Sequence, residues 1–209
     1  MIEDHLAAWE RDYSARGRLF TGIPSNLPDV PRSSLVLELG CGNGKTLCAI
    51  GKKCPDIIAS DYSLQALLLC REQCSISPTV RFVRSDARHL PFRDRTFDIV
   101  FAVHIAGHLL AMERVMLAEE VARVTKPGGT LYFCDFGTGD FRCGRGDRIE
   151  ARTFRRGSGT TTHYFSADEI EGLFSGFRKL TVYPDRWSLR IRGRDYEREE
   201  IVGEFKKKP

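Results

Sequence analysis

Residues 35–44 read Leu-Val-Leu-Glu-Leu-Gly-Cys-Gly-Asn-Gly, an apolar run that passes directly into a turn with glycine at every second position. Such a run is short enough for a buried strand, and Gly40, Gly42 and Gly44 remove Cβ atoms where the chain must bend sharply. A ligand can then lie against bare backbone, which implies a nucleotide-like cofactor. The spacing Gly-x-Gly-x-Gly differs from the dinucleotide fingerprint Gly-x-Gly-x-x-Gly. Gly44-Lys45-Thr46 is no phosphate-cradling loop either, because Leu39 stands where that loop needs its first glycine.

Further apolar runs follow at Ile57–Asp61, Val80–Ala87, Thr96–Val100 and after Arg123, with helices expected over about 44–53, 63–74 and 112–124. Strands alternating with helices indicate parallel βαβ units, which place a ligand outside the carboxyl ends of the strands. Asp61 and Asp86 fall at two such ends, and a carboxylate suits a vicinal diol because it accepts two hydrogen bonds at once.

These segments together resemble the class I S-adenosylmethionine (SAM) dependent methyltransferases. The glycine turn matches the family's first motif, Asp61 its ribose-binding acid and Asp86 the acid that meets the adenine amine. Leu90-Pro91-Phe92 and Phe97-Asp98 match its fourth-strand signatures, and Lys126-Pro127-Gly128-Gly129 its turn into the fifth strand. The resemblance implies a Rossmann-like α/β fold with a seven-stranded, mostly parallel sheet and an antiparallel last strand. It implies SAM as cofactor, held by Glu38, Gly40, Cys41, Gly42, Asn43, Gly44, Asp61, Tyr62, Asp86, Ala87 and Val103, with Trp9 and Tyr13 placed to close over it or to stack on a flipped base. Asp98, at the start of its strand, is expected to be structural.

At 209 residues the chain suits one α/β domain, with residues 1–34 as amino-terminal helix and lead-in and residues 137–165 as a substrate-side insert. No apolar stretch reaches membrane-spanning length and Glu3 and Asp4 do not suit a signal peptide, so a cytoplasmic protein is expected. Seven cysteines, at 41, 48, 54, 70, 74, 134 and 143, form no Cys-x-x-Cys pair and read as small core residues in a reducing compartment, with no metal. From Phe141 onward 16 Lys and Arg face 11 Asp and Glu, so the chain's net charge of +4 resides in its carboxy-terminal third. Basic bias near one end of the fold suggests a polyanion there, or a solvated face.

Residues 137–160, rich in glycine and arginine, read as a functional loop. Thr161–Phe165 reads as a short strand, and Ser166 with Glu169 as a capping box. Residues 177–192 and about 199–206 read as a closing antiparallel pair. Phe133-Cys134-Asp135-Phe136-Gly137, Thr153-Phe154-Arg155-Arg156, Gly159-Thr160, His163-Tyr164-Phe165, Arg198 and the ending Lys206-Lys207-Lys208-Pro209 resemble the eukaryotic tRNA 3-methylcytidine methyltransferases, as do Trp9, Tyr13 and Arg18-Leu19-Phe20. The segment after the fourth strand departs from theirs, reading Ala102-Val103-His104-Ile105-Ala106-Gly107-His108.

That resemblance implies methyl transfer to a tRNA nucleobase at cytidine N3, tRNA as partner, and a possible helper protein. Asp135 is the candidate carboxylate beside the base, and His104 and His108 the candidates to orient the substrate or accept a proton. Arg142, Arg145, Arg148, Arg152, Arg155, Arg156 and Arg198 are the candidate phosphate contacts. Two alternatives stay open: the same chemistry on a protein side chain or small metabolite, and a noncatalytic SAM-fold subunit.

Overall fold

A computed structural model describes residues 7–17, 27–51, 56–73 and 80–209. Arg18-Leu19-Phe20, Cys54 and Cys74 lie outside them. The chain runs α1 (Ala7–Arg16), β1 (Val36–Leu39), α2 (Lys45–Ile50), β2 (Ile57–Asp61), α3 (Leu64–Gln73), β3 (Arg81–Arg84) and β4 (Phe97–Val103). A 3-10 turn at Ala106–His108 leads to α4 (Ala111–Val124), β5 (Thr125–Phe136), β6 (Asp147–Glu150), β7 (Thr153–Arg155), β8 (Thr161–His163), α5 (Ala167–Leu173), β9 (Phe177–Ile191) and β10 (Arg194–Lys207).

Seven strands form one sheet in the order β3-β2-β1-β4-β5-β10-β9. The pairs among β1 to β5 are parallel, whereas β10 runs antiparallel to both β5 and β9. The expected antiparallel last strand is thus inserted between two earlier ones. Alternation along β1 explains why both faces of the sheet are covered. Leu37 and Leu39 point into a core shared with Leu117, Val121 and Val124 of α4 and Ile170 of α5. Val36 points the other way, into a core with Leu47 and Ile50 of α2 and Leu67 and Cys70 of α3.

Several expectations change on contact with the structure. Residues 137–160 are no open loop, because Asp147–Glu150 and Thr153–Arg155 pair antiparallel and join β8 in a three-stranded sheet. This small sheet is tied to the head of α4 by Glu150, which accepts from the Ala111 N–H at 3.1 and 3.0 Å, and to the end of β5 by backbone, with Phe165 N donating to the Phe136 carbonyl. Lys126-Pro127-Gly128-Gly129 falls within the bounds of β5 but stays unpaired at a register shift between Thr125 and Thr130, with Gly128 at φ +73, so the expected turn leads into the paired part of the strand. Only half of the capping box forms: Ser166 Oγ accepts from Glu169 N, but the Glu169 carboxylate turns to His163 Nε2 at 2.9 Å and to Arg152. Asp98 is structural, as expected, accepting from Leu35 N and pairing with Lys126. Cys48 is disulfide-bonded, against the expectation of uniformly reduced thiols, while Cys41, Cys70, Cys134 and Cys143 are free.

Candidate active site

Strands β1, β2, β4, β5 and β10 bring their ends around one cavity of about 330 Å³, roofed on one side by α1. The turn after β1 is its floor. Gly40 has φ +65 and a Cβ there would meet the Ile105 side chain at 2.9 Å; Gly42 has φ +52 and a Cβ would meet the Tyr13 hydroxyl at 2.6 Å. Both positions therefore require a left-handed backbone and leave no room for a side chain.

Asp61, at the end of β2, fixes this turn from below. Its Oδ2 accepts from Gly42 N at 2.8 Å and its Oδ1 from Ser63 N at 2.9 Å. Burial outweighs these bonds and raises its pKa to about 6. Glu38 is 2% exposed, lines the cavity, and leaves its Oε2 with no hydrogen-bond partner. Burial lifts its pKa to about 8, so the carboxyl is protonated at neutral pH. Asp86 is held by Arg88, Nε to Oδ1 at 2.9 Å and Nη2 to Oδ2 at 2.6 Å; against the cost of burial, this pairing keeps it ionised below the usual carboxylate range.

The opposite wall is built after β4 and from β5 and β10. His104 has φ +53, a strained conformation for a residue with a Cβ. Its Nε2 lies 3.1 Å from Glu200 Oε1, while Glu200 Oε2 accepts from the Cys134 thiol at 3.2 Å. Burial alone would lower the His104 pKa, but the carboxylates of Asp135 and Glu200 outweigh it and raise it to about 9. Glu200 in turn falls to about 2 despite burial, chiefly because of His104. The donor atoms of His104, Cys134 and Glu200 lie within 4.8 Å of one another, a grouping that these hydrogen bonds account for.

His108 behaves oppositely. Burial lowers its pKa, and its Nδ1 lies 2.7 Å from the Thr161 carbonyl, which can only accept. The proton therefore sits on Nδ1, and Nε2 carries the lone pair. Trp9 packs on this ring at 4.3 Å between centroids. Across the cavity, the Arg142 guanidinium lies 4.0 Å from the Phe136 ring centre, and that of Arg198 lies 5.3 Å from Trp187. Buried Asp140 holds both arginines, at 2.8 Å to Arg142 Nε and 2.6 Å to Arg198 Nε. Its carboxylate is kept low by these partners although burial opposes it.

Of the residues expected to hold the cofactor, all but Gly44 line the cavity, as do His104, His108, Arg142 and Arg198. Gly44 instead starts α2 with φ +88. Asp135 needs correction. It is 0% exposed and lies behind the wall, where Oδ2 accepts from Gly107 N at 2.7 Å and Oδ1 from Phe136 N at 2.9 Å. It shapes the cavity without reaching into it. Arg145, Arg152, Arg155 and Arg156 also lie off the cavity: Arg145 stacks over Phe141, Arg152 pairs with Glu169, Arg155 is exposed on β7 and Arg156 bonds the Tyr164 hydroxyl. Lys45, Thr46, Ser60, Ser85, Phe136, Trp187 and Glu200 line it without having been singled out. The first four flank recognised motifs; Trp187 and Glu200 sit in closing strands that carry no local signature.

The methyltransferase domain family matches residues 37–133. The chain is 28% identical to the tRNA N(3)-cytidine methyltransferase METTL2 of Gallus gallus over 78% of its own length and 49% of that protein's. It thus spans about half the length of that relative. It is 36% identical to the malonyl-[acyl-carrier protein] O-methyltransferase of a Marinomonas strain, over 58% of this chain and 43% of that one. Among solved structures, a SAM-dependent methyltransferase from Methanosarcina mazei superposes with a TM-score of 0.71 at 22% identity, covering 86% of this chain and 95% of the other.

Proposed function

We propose, from the premise that this chain is in domain and fold a class I SAM-dependent methyltransferase, that it transfers a methyl group to a nucleobase of tRNA, at N3 of cytidine. The residues present suit the cofactor. The side-chain-free cradle at Gly40 and Gly42 admits a ligand against backbone, and the Glu38 carboxyl, whose Oε2 has no partner, would ionise against a cationic ligand end, whose charge offsets the upward push of burial. Asp61 and Asp86 suit the ribose hydroxyls and the adenine amine, with Tyr62, Ala87 and Val103 as apolar neighbours. When bound, SAM supplies a methyl group already activated on a sulfonium. The protein's share is then alignment and exclusion of water.

One observation carries the choice of acceptor. The cavity that holds Asp61 and Asp86 is also walled by flat groups: Trp9 on His108, and Arg142 and Arg198 over Phe136 and Trp187. Flat aromatic and guanidinium planes are the surfaces that grip an unstacked base. Cytidine N3 brings its own lone pair, so no strong base is required. His104 stays protonated below about pH 9 and acts as a donor that holds Glu200. Glu200, anionic at the cavity wall, takes the role first assigned to Asp135 by favouring positive charge on the methylated base. Neutral His108 offers its Nε2 to the exocyclic amine.

A second reading is methylation of a carboxylate, which the Arg142–Arg198 pair would also suit and which the Marinomonas relative illustrates. Incubation with isotopically labelled SAM and separate pools of total RNA, protein and metabolites distinguishes the two. Label should enter tRNA and digest to 3-methylcytidine. Label confined to metabolites or protein would rule that out.

A further inference from the structure

The cavity wall does not end at the cavity. β5 pairs with β10 only from Glu200 onward, whereas β10 and β9 stay paired out to Arg194 and Ile191. Residues 186–199 therefore extend beyond β5 as a strand pair about 20 Å long at roughly 3.3 Å per residue, edged at its base by the Gly137 and Phe141 N–H groups, which donate to the Glu199 and Glu197 carbonyls. This arm is closed by Arg192 and Gly193, both with positive φ, the requirement of a tight two-residue hairpin turn.

Residues directly opposite in a strand pair share a face. One face carries Trp187 with Arg198, Leu189 with Tyr196 and Ile191 with Arg194. The other carries Arg186 with Glu199, Ser188 with Glu197 and Arg190 with Asp195. The two differ in chemistry. On the second face the charges answer one another: Arg186 pairs with Glu199 at 2.6 Å and Arg190 with Asp195 at 3.5 Å. Between Trp187 and Ile191 the first face carries two arginines, Arg198 held by Asp140 at its inner end and Arg194 at its tip, and apolar or aromatic side chains left open to solvent, Trp187 37%, Leu189 37% and Ile191 38% exposed; acids resume only with the Asp185–Glu200 pair at the cavity. It also starts inside the site, since Trp187 and Arg198 line the cavity. Phe141 packs on Tyr196 at 4.8 Å and carries Arg145 over its own ring, extending the same mixture sideways.

Rings alternating with arginines along an open strand face form a stacking platform with positive charge for a backbone. We infer that this face of the β9–β10 arm binds the single-stranded polynucleotide flanking the target base, with Tyr196 and Leu189 under the bases and Arg194 at a phosphate. The inference rests on the RNA reading above and goes beyond it in naming a surface outside the cavity. Continuity with the cavity, and an outer stretch of this face (Leu189, Ile191, Arg194 and Tyr196) that carries a cation and no acid, select a nucleic acid over a second copy of the chain.

The test uses a fluorescein-labelled single-stranded RNA 12-mer containing cytidine, read by anisotropy across a salt series. Tyr196→Ala with Leu189→Ser should weaken binding about tenfold or more, and Arg194→Ala should reduce the salt slope by about one. Arg190→Ala, on the opposite face, should leave binding unchanged, and all variants should bind SAM as the parent does by calorimetry. If the parent methylates RNA and the first-face variants bind the 12-mer equally well, the arm has no such role and the RNA reading survives. If the parent neither binds nor methylates RNA, both fall. Unchanged RNA affinity with a loss of self-association in sedimentation would assign the face to a second copy and overturn the proposal.

Discussion

Glu38 and Asp61 are two carboxyls raised by burial at one cavity, and their titration gives opposite signs for stability and binding. A carboxyl with a raised folded pKa binds more protons in the folded state, so its contribution is present at low pH and lost as pH rises through the folded value. Stability without ligand should therefore fall from about pH 4 towards pH 8, as Asp61 at about 6 and Glu38 at about 8 ionise. In the proposed function SAM affinity should rise over the same window, because the ionised forms would meet its hydroxyls and its positive charge. Glu38→Gln should flatten the upper part of both slopes and weaken SAM several-fold, as read by calorimetry and thermal melts at pH 6 and 8.5. Parallel slopes for the two properties would contradict these assignments. Both residues were legible in sequence from their places at strand ends. Asp135 was misread for the same reason: a strand end fixes where a side chain starts but not which way it faces, and Gly107 N had claimed its carboxylate.

At the scale of elements, the glycine turn and α1 are fitted closely to each other. The Tyr13 hydroxyl occupies the space a Cβ at Gly42 would take, and burial with the Asp61 charge nearby keeps that phenol protonated. Gly42→Ala would have to hold an L-residue at positive φ and displace a buried ring, at a cost of about 1–2 kcal/mol from the backbone alone. It should lower the melting temperature by several degrees and weaken SAM at least tenfold; wild-type values for both would mean that α1 does not seat on the turn. The order and type of β1 to β5 could be read from apolar runs and glycine punctuation. The small sheet over residues 147–163 could not, because its strands are three or four residues long and its pairing is set by tertiary partners such as Glu150 at Ala111. The outer half of β10 was missed because Arg194–Glu199 has too little apolar character to read as a strand; it is held by pairing with β9.

For the whole molecule, the sheet gathers two kinds of surface at one cavity. The turn after β1, with Asp61 and Asp86, forms one side of it, and the wall from β5, β9 and β10 the other; in the proposed function the first takes the donor nucleoside and the second a flat acceptor. No helix among the described residues is long and apolar enough to cross a membrane. The most direct measurement is calorimetric titration of SAM into the parent and into Asp61→Ala, with circular dichroism confirming that both are folded. One-to-one binding is predicted for the parent, weakened about tenfold or more in Asp61→Ala by loss of charge-assisted hydrogen bonds. A parent that binds no SAM, or a variant that binds it equally well, would contradict the account.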